Sequence, residues 1–252
     1  MPFDDKESRS SYEINASALS GVVREPFEKN IPPLAASTLS QARGFATARA
    51  GEFNLDEAVS VSSAYTLVAA RTDERDGSIL TLATAVVEDL NILEVVTARR
   101  IVAQMMITYG PGDKSRRVSF AGSRIEGLRL AGRDHIARLN LLLQPPPGGC
   151  DGSELPLAWD AALPPGKPRA PSLYGEVEPA SEDGIQCTTD GHIVNIPGYG
   201  KIILGELIVT NRCLELVSLA AELDGLVCGQ VRAPRTMISG GGGSGGDKSV
   251  HA

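Results

Sequence analysis

Two acids occupy matching places in this chain. Laid over one another without gaps, Val87-Glu88-Asp89-Leu90-Asn91-Ile92 and Ile125-Glu126-Gly127-Leu128-Arg129-Leu130 both read apolar, Glu, small, Leu, polar, apolar. Glycoside hydrolysis uses a pair of carboxylates held about 5 to 9.5 Å apart. Glu88 and Glu126 qualify for that work if the two segments run side by side. Asp134-His135 and Asp190-Gly191-His192 set an acid near an imidazole, the ingredients of a general base. Adjacent residues of an extended chain point to opposite sides, however, so nearness in sequence does not make a dyad. The third histidine, His251, lies on the C-terminal tail.

Other chemistries find less. Outside the glycine-rich tail, where Gly242–Gly246 fits it by composition alone, the chain has no G-x-S-x-G elbow for a nucleophilic triad. Its glycine-rich stretches open no strand-to-helix turn with a following Lys and Ser or Thr, as a phosphate cradle requires. Cys150, Cys187, Cys213 and Cys228 have no C-x-x-C spacing, which removes the main argument for zinc or a redox pair. They read as free thiols, or as a buried packing pair of Cys213 and Cys228. Met105-Met106 has no Cys or His near it in sequence and reads as gap filling rather than a soft-metal site. No catalytic, cofactor-binding or metal-ligating residue is assigned on these grounds, and no cofactor is expected.

The elements that must position the acids are strands. Between Ile79 and Leu143, branched apolar residues recur by twos, as at Leu80, Leu82 and Val86 or Leu139, Leu141 and Leu143. In both echoed segments the apolar step is three instead, from Val87 to Leu90 and from Ile125 to Leu128. An unbroken pleat cannot hold that step, so Glu88-Asp89 and Glu126-Gly127 mark bulges or tight bends. Thr97–Tyr109 fits a strand by its alternation, although Ile101, Met105 and Tyr109 also share a helical stripe. Leu19–Val23, Phe45–Ala50 and Val59–Ala70 look extended, and Leu34–Ala42 reads as a brief helix ended by Gly44. The polar turn Asp73–Gly77 makes a hairpin into Ile79. Pro197-Gly198-Tyr199-Gly200 makes another between His192–Ile196 and Lys201–Thr210. Asn211–Leu223 divides between helical spacing (Leu216, Leu219, Ala220, Leu223) and alternation.

These elements divide the chain into a loose N-terminal tail over 1–12, a β-rich core over 13–143, a proline-rich arm or linker over 144–183, the rest of the same β domain over 184–238, and a glycine-rich tail over 239–252. Trp159 and Tyr174 favour docking of the arm against the body. The net charge of -7 and pI near 5.1 speak against a nucleic-acid surface, which needs clustered Lys and Arg. With 4% aromatic residues, stacking platforms for bases or sugars are poorly supplied. No apolar run is long enough to cross a bilayer, and Met1–Lys6 is not the start of a secretory signal, so no membrane insertion and a cytoplasmic location are expected by default.

The stretch Thr84–Ala98, followed by Val118–Gly132 with its Phe120-Ala121-Gly122-Ser123 and Leu128-Arg129-Leu130-Ala131-Gly132, resembles the repeated pattern of bacterial choice-of-anchor P surface proteins. The resemblance covers about a quarter of the chain and implies a β-rich bacterial protein, often on the cell surface, with no catalytic residues to carry over. Against that pattern, neither an export signal nor a C-terminal anchor is expected from the ends of this sequence, which sets the surface location implied by the resemblance against the cytoplasmic default.

The sequence therefore predicts a mainly β fold: an antiparallel β-sandwich, or β-solenoid-like stacked sheets, with few short helices. The expected function is a noncatalytic structural or assembly protein whose partner is itself or another protein, met through unpaired sheet edges. The alternative is a hydrolase or carbohydrate-binding protein using Glu88, Glu126, Asp134 or His135 around a cleft.

Overall fold

Among the described residues, apolar positions that recur by twos lie on extended chain, and neighbouring strands pair antiparallel; Leu141 and Leu143 fall outside those residues. The computed structural model describes residues 12–24, 28–110, 115–140, 150–151, 172–180, 185–209, 213–225 and 227–240. The strands are β1 (Tyr12–Ser17), β2 (Leu19–Val23), β3 (Lys29–Leu34), β4 (Ser37–Leu39), β5 (Gly44–Ala50), β6 (Phe53–Leu55) and β7 (Val59–Val61). Then come β8 (Ser63–Thr72), β9 (Ile79–Ile92), β10 (Val96–Tyr109), β11 (Ser115–Ser119), β12 (Arg124–Glu126), β13 (Arg129–Leu130) and β14 (Arg133–Leu139). The last are β15 (Cys150–Asp151), β16 (Tyr174–Pro179), β17 (Thr188–Asp190), β18 (Ile193–Ile196), β19 (Gly200–Val209), β20 (Cys213–Asp224) and β21 (Cys228–Gly240).

They form two sheets packed face to face. One has nine strands, in the order β17-β18-β19-β20-β21-β1-β4, with β2 and β3 continuing beside β21. The other has twelve and is centred on the β8-β9-β10 meander, with β5 outside β8 and β14 and β16 at the far side. Their inner faces meet where β21 and β1 cross β9 and β10. Ile14, Ile101, Met105, Leu216 and Leu219 are among the residues wholly buried in that layer. Each such side chain contributes about 1.5–3 kcal/mol of burial.

One device recurs in both sheets. In the larger sheet, the inward residues of β9 are Ala83, Ala85 and Val87, then Leu90 and Ile92. In β10 they are Val96 and Ala98, then Ile101, Ala103 and Met105. Both strands skip a residue in the same row, so pairing keeps one register on either side, with Arg100 opposite Glu88 and Ala98 opposite Leu90. The row continues outward in both directions, running Glu52, Ser62, Asp89, Arg99, Gly127, all exposed. β5 and β6 are thus one creased strand, as are β7 and β8, and β12 and β13. Asp89 and Gly127 take φ of 49° and 63° to turn the crease, and Asp89 Oδ2 accepts a 2.8 Å bond from Ser62 Oγ.

The smaller sheet is creased along Gly205, Ser218, Pro234, Ala18 and Ala35, again without loss of register between β20 and β21. Here the crease is covered. Ser172 Oγ donates to the Leu204 carbonyl at 2.6 Å, and the Leu173 N–H donates to that of Gly205 at 2.7 Å. β16 follows directly and pairs with β14, so this segment joins the two sheets along one side. The proline-rich stretch thereby ends in a docked strand with Tyr174 buried, while Trp159 lies outside the described residues.

The described residues contain no helix. The one expected over Leu34–Ala42 is instead the end of β3, a corner at Ala35 (φ 47°) and β4, because pairing with β1 and β2 outweighs the local helix propensity of an Ala-rich run. Thr97–Tyr109 is strand, as expected, and the described part of the ambiguous Asn211–Leu223, from Cys213 on, lies in β20. Both expected hairpins form, β8 with β9 and β18 with β19.

Candidate functional site

The two echoed segments flank β10, one on each side, in equivalent register: Arg100 stands opposite Glu88 on β9 and opposite Glu126 on β12. Directly opposed residues share a face, so Glu88, Arg100 and Glu126 form one row on the outer surface beside the crease. Two strand spacings put the acids' backbones about 9.5 Å apart, with a guanidinium between them. Arg100 Nε lies 3.5 Å from Glu88 Oε1, and Nη2 donates to the Tyr65 hydroxyl at 3.4 Å. Glu126 is held on both oxygens, by Arg124 Nε at 2.6 Å and Arg99 Nη2 at 3.2 Å. The hydrogen bond from Arg124, followed by the field of both arginines, keeps its carboxyl below the usual carboxylate range. Two arginines on Glu126 favour its ionised form. A general acid needs the reverse.

Asp134 and His135 point apart, as alternation on β14 requires. Asp134 Oδ1 pairs with Arg129 Nε at 3.1 Å on the surface. His135 is buried, and its Nδ1 lies 3.0 Å from the Arg133 carbonyl, to which it donates. His192 is buried at the turn into β18. Cys213 and Cys228 do not form a packing pair. They sit half-buried at opposite ends of the β20–β21 hairpin, about 35 Å apart by strand rise. Cys187 is also a free thiol, and burial raises both its pKa and that of Cys213. Among the described residues, no group of three or more His, Cys, Asp or Glu side chains is gathered as a metal would need.

A groove of about 660 Å³ opens elsewhere, at the turn end of the sandwich. Its wall is made by two tight turns, Leu55–Ala58 and Ile92–Val95, each closed by a backbone bond of 2.8 and 3.0 Å. The central residues all have positive φ: Asp56 45°, Glu57 62°, Leu93 54° and Glu94 57°. These are type I′ hairpin turns, which match strand twist but ordinarily take Asn and Gly. Each non-glycine residue there costs about 1–2 kcal/mol. The Asn before each turn offsets part of this, since Asn54 Oδ1 accepts from the Glu57 N–H at 3.0 Å and Asn91 Oδ1 from the Glu94 N–H at 2.8 Å. The turns also stack, Leu93 N–H on the Ala58 carbonyl at 2.8 Å and Ala131 N–H on that of Val95 at 2.7 Å. Neither turn stood out from composition. The signal was the repeated Asn-x-x-Glu of Asn54–Glu57 and Asn91–Glu94.

The groove carries the carboxylates of Asp56, Glu57 and Glu94 over an apolar floor that includes Leu93 and Val227. The Lys29 ammonium pairs with Asp56. Among the described residues, no imidazole or thiol lines it. Residues 25–27 and 226, next in sequence to lining residues, lie outside the described set. Glu88, Glu126, Asp134 and His135 are not among its lining residues.

A family model described as a domain of unknown function, DUF8256, matches residues 11–151. No curated protein and no solved structure matches the chain.

Proposed function

The chain belongs to the DUF8256 family, and since that description names no activity, we propose a noncatalytic structural or assembly role, met through exposed sheet edges by copies of the chain or by another protein. The observation that carries this reading is the layout of the ionisable side chains. Glu88, Glu126 and Asp134 each have an arginine partner on the outer surface, and His135 is spent on a backbone carbonyl. A hydrolase would need some of them around a cleft with at least one acid left protonated. The free thiols of Cys187, Cys213 and Cys228 favour a reducing compartment. The likeness of Thr84–Ala98 and Val118–Gly132 to bacterial surface proteins favours a bacterial setting.

Size-exclusion chromatography with light scattering, together with negative-stain imaging, tests the reading. Concentration-dependent growth in mass or ordered assemblies support it. A featureless monomer at every concentration, with no partner captured, defeats it. A glycoside substrate screen in which activity appears and is lost in Glu88→Gln or Glu126→Gln would establish the hydrolase instead.

A further inference from the structure

We infer that the free edge of β5, Gly44–Ala50, is the contact through which two copies of this chain pair, strand to antiparallel strand, about a twofold axis at Thr47. The inference rests on the assembly role proposed above and names the edge that performs it.

A sheet edge presents unpaired N–H and C=O groups, and proteins that stay apart blunt such edges with brevity, proline, charge or a covering segment. The other described edges carry one of these devices. β3 contains Pro32-Pro33, while β4 and β17 are three residues each. β16 carries Glu176 and Glu178 and ends in Pro179, and the residues just before it are bonded to β19. Among the described residues, β5 has the least of them, a single charge. It has seven residues and no proline, it holds one charge in Arg49, and among the described strands it pairs only with β8. Phe45 at its start is 74% exposed, more than any other large apolar residue described.

The strand's sequence also fits itself. Antiparallel pairing centred on Thr47 sets Thr47 against its own copy and Phe45 against Arg49 of the copy, both pairs on the outer face. The guanidinium then lies over an aromatic ring, and the two arginines are kept apart. Pairing with another sequence would bring none of this registry. The contact is small beside a standard interface, so association is weak and concentration-dependent.

The test uses the full chain under reducing conditions, followed by sedimentation velocity up to about 1 mM. The wild type is expected to approach the dimer mass. Thr47 faces solvent, so Thr47→Lys and Thr47→Glu leave the hydrogen bonds to β8 intact while setting like charges face to face at the axis. Each variant alone should self-associate about tenfold more weakly, and an equimolar mixture should recover wild-type association or better. Hydrogen exchange on the unmodified chain gives a second readout, since β5 amides facing away from β8 should gain protection as concentration rises. A wild type that stays monomeric overturns this inference, and overturns the reading beneath it as well when no partner protein is captured. Association that both variants retain, a mixture that fails to recover, or β5 amides whose protection ignores concentration overturns the β5 edge alone.

Discussion

Replacing Gly205 by alanine tests whether the segment before β16 holds the covered crease. Gly205 has φ +65°, and a Cβ built on it would lie 2.5 Å from Tyr174 Cδ2 and 3.0 Å from Leu173 Cβ. Gly77 supplies the control, for its φ is +72° and a Cβ there meets nothing within 4 Å. Gly77→Ala therefore reports the left-handed backbone alone, at about 1–2 kcal/mol. Gly205→Ala adds overpacking against two side chains that the Leu173–Gly205 and Ser172–Leu204 bonds prevent from sliding away, about 1–3 kcal/mol more. The total is about 2–5 kcal/mol, read as a lower urea midpoint at unchanged slope. Introducing Tyr174→Ala should lessen the cost of Gly205→Ala, since the nearest atom is removed. Equal midpoints for the two alanine variants would refute the docking of Leu173–Tyr174 on the crease.

Thr66 donates from its hydroxyl to the Ala35 carbonyl at 2.6 Å in a buried setting, so Thr66→Val should cost about 1–2 kcal/mol in urea unfolding; a neutral result would mean that the corner at Ala35 is held by other bonds. The Glu126 carboxyl is depressed in the folded state, so its contribution to stability is present above its unfolded value and is lost as pH falls through the folded one. Arg124→Gln should move the carboxyl titration seen by NMR back toward the ordinary range, and an unmoved midpoint would contradict the pairing. Because burial raises the thiols of Cys187 and Cys213, the latter further by Glu215, both should react with a disulfide reagent near pH 8 more slowly than a peptide thiol. Urea should abolish the difference, and equal rates without urea would show the thiols unshielded.

Much of the larger sheet was legible because its inner face is apolar and its outer face polar. The step of three from Val87 to Leu90 and from Ile125 to Leu128 marks the crease, and the echo of the two segments reflects equivalent places beside β10. β20 was not legible for a related reason. Leu214 through Ala221 are buried on both faces, so alternation disappears. The helical spacing of Leu216 and Leu219 is the same step of three, made by the crease at Ser218. Around Ala35 the misreading came from weighing local propensity before strand pairing. The acids of the echo were found, but their partners on β10 were not, because Arg100 meets Glu88 and Arg99 meets Glu126 only once β9 and β12 lie on either side of it.

The crease also limits how such a chain can change length. Since five strands each take up one residue in the same row, deleting Asp89 alone would turn Leu90 and Ile92 to solvent while the strands on either side kept their own facing. A shortened hairpin tip leaves the rows intact, but a single lost codon at the fold line does not. Relatives should therefore differ in length at the turns and keep their spacing along both rows.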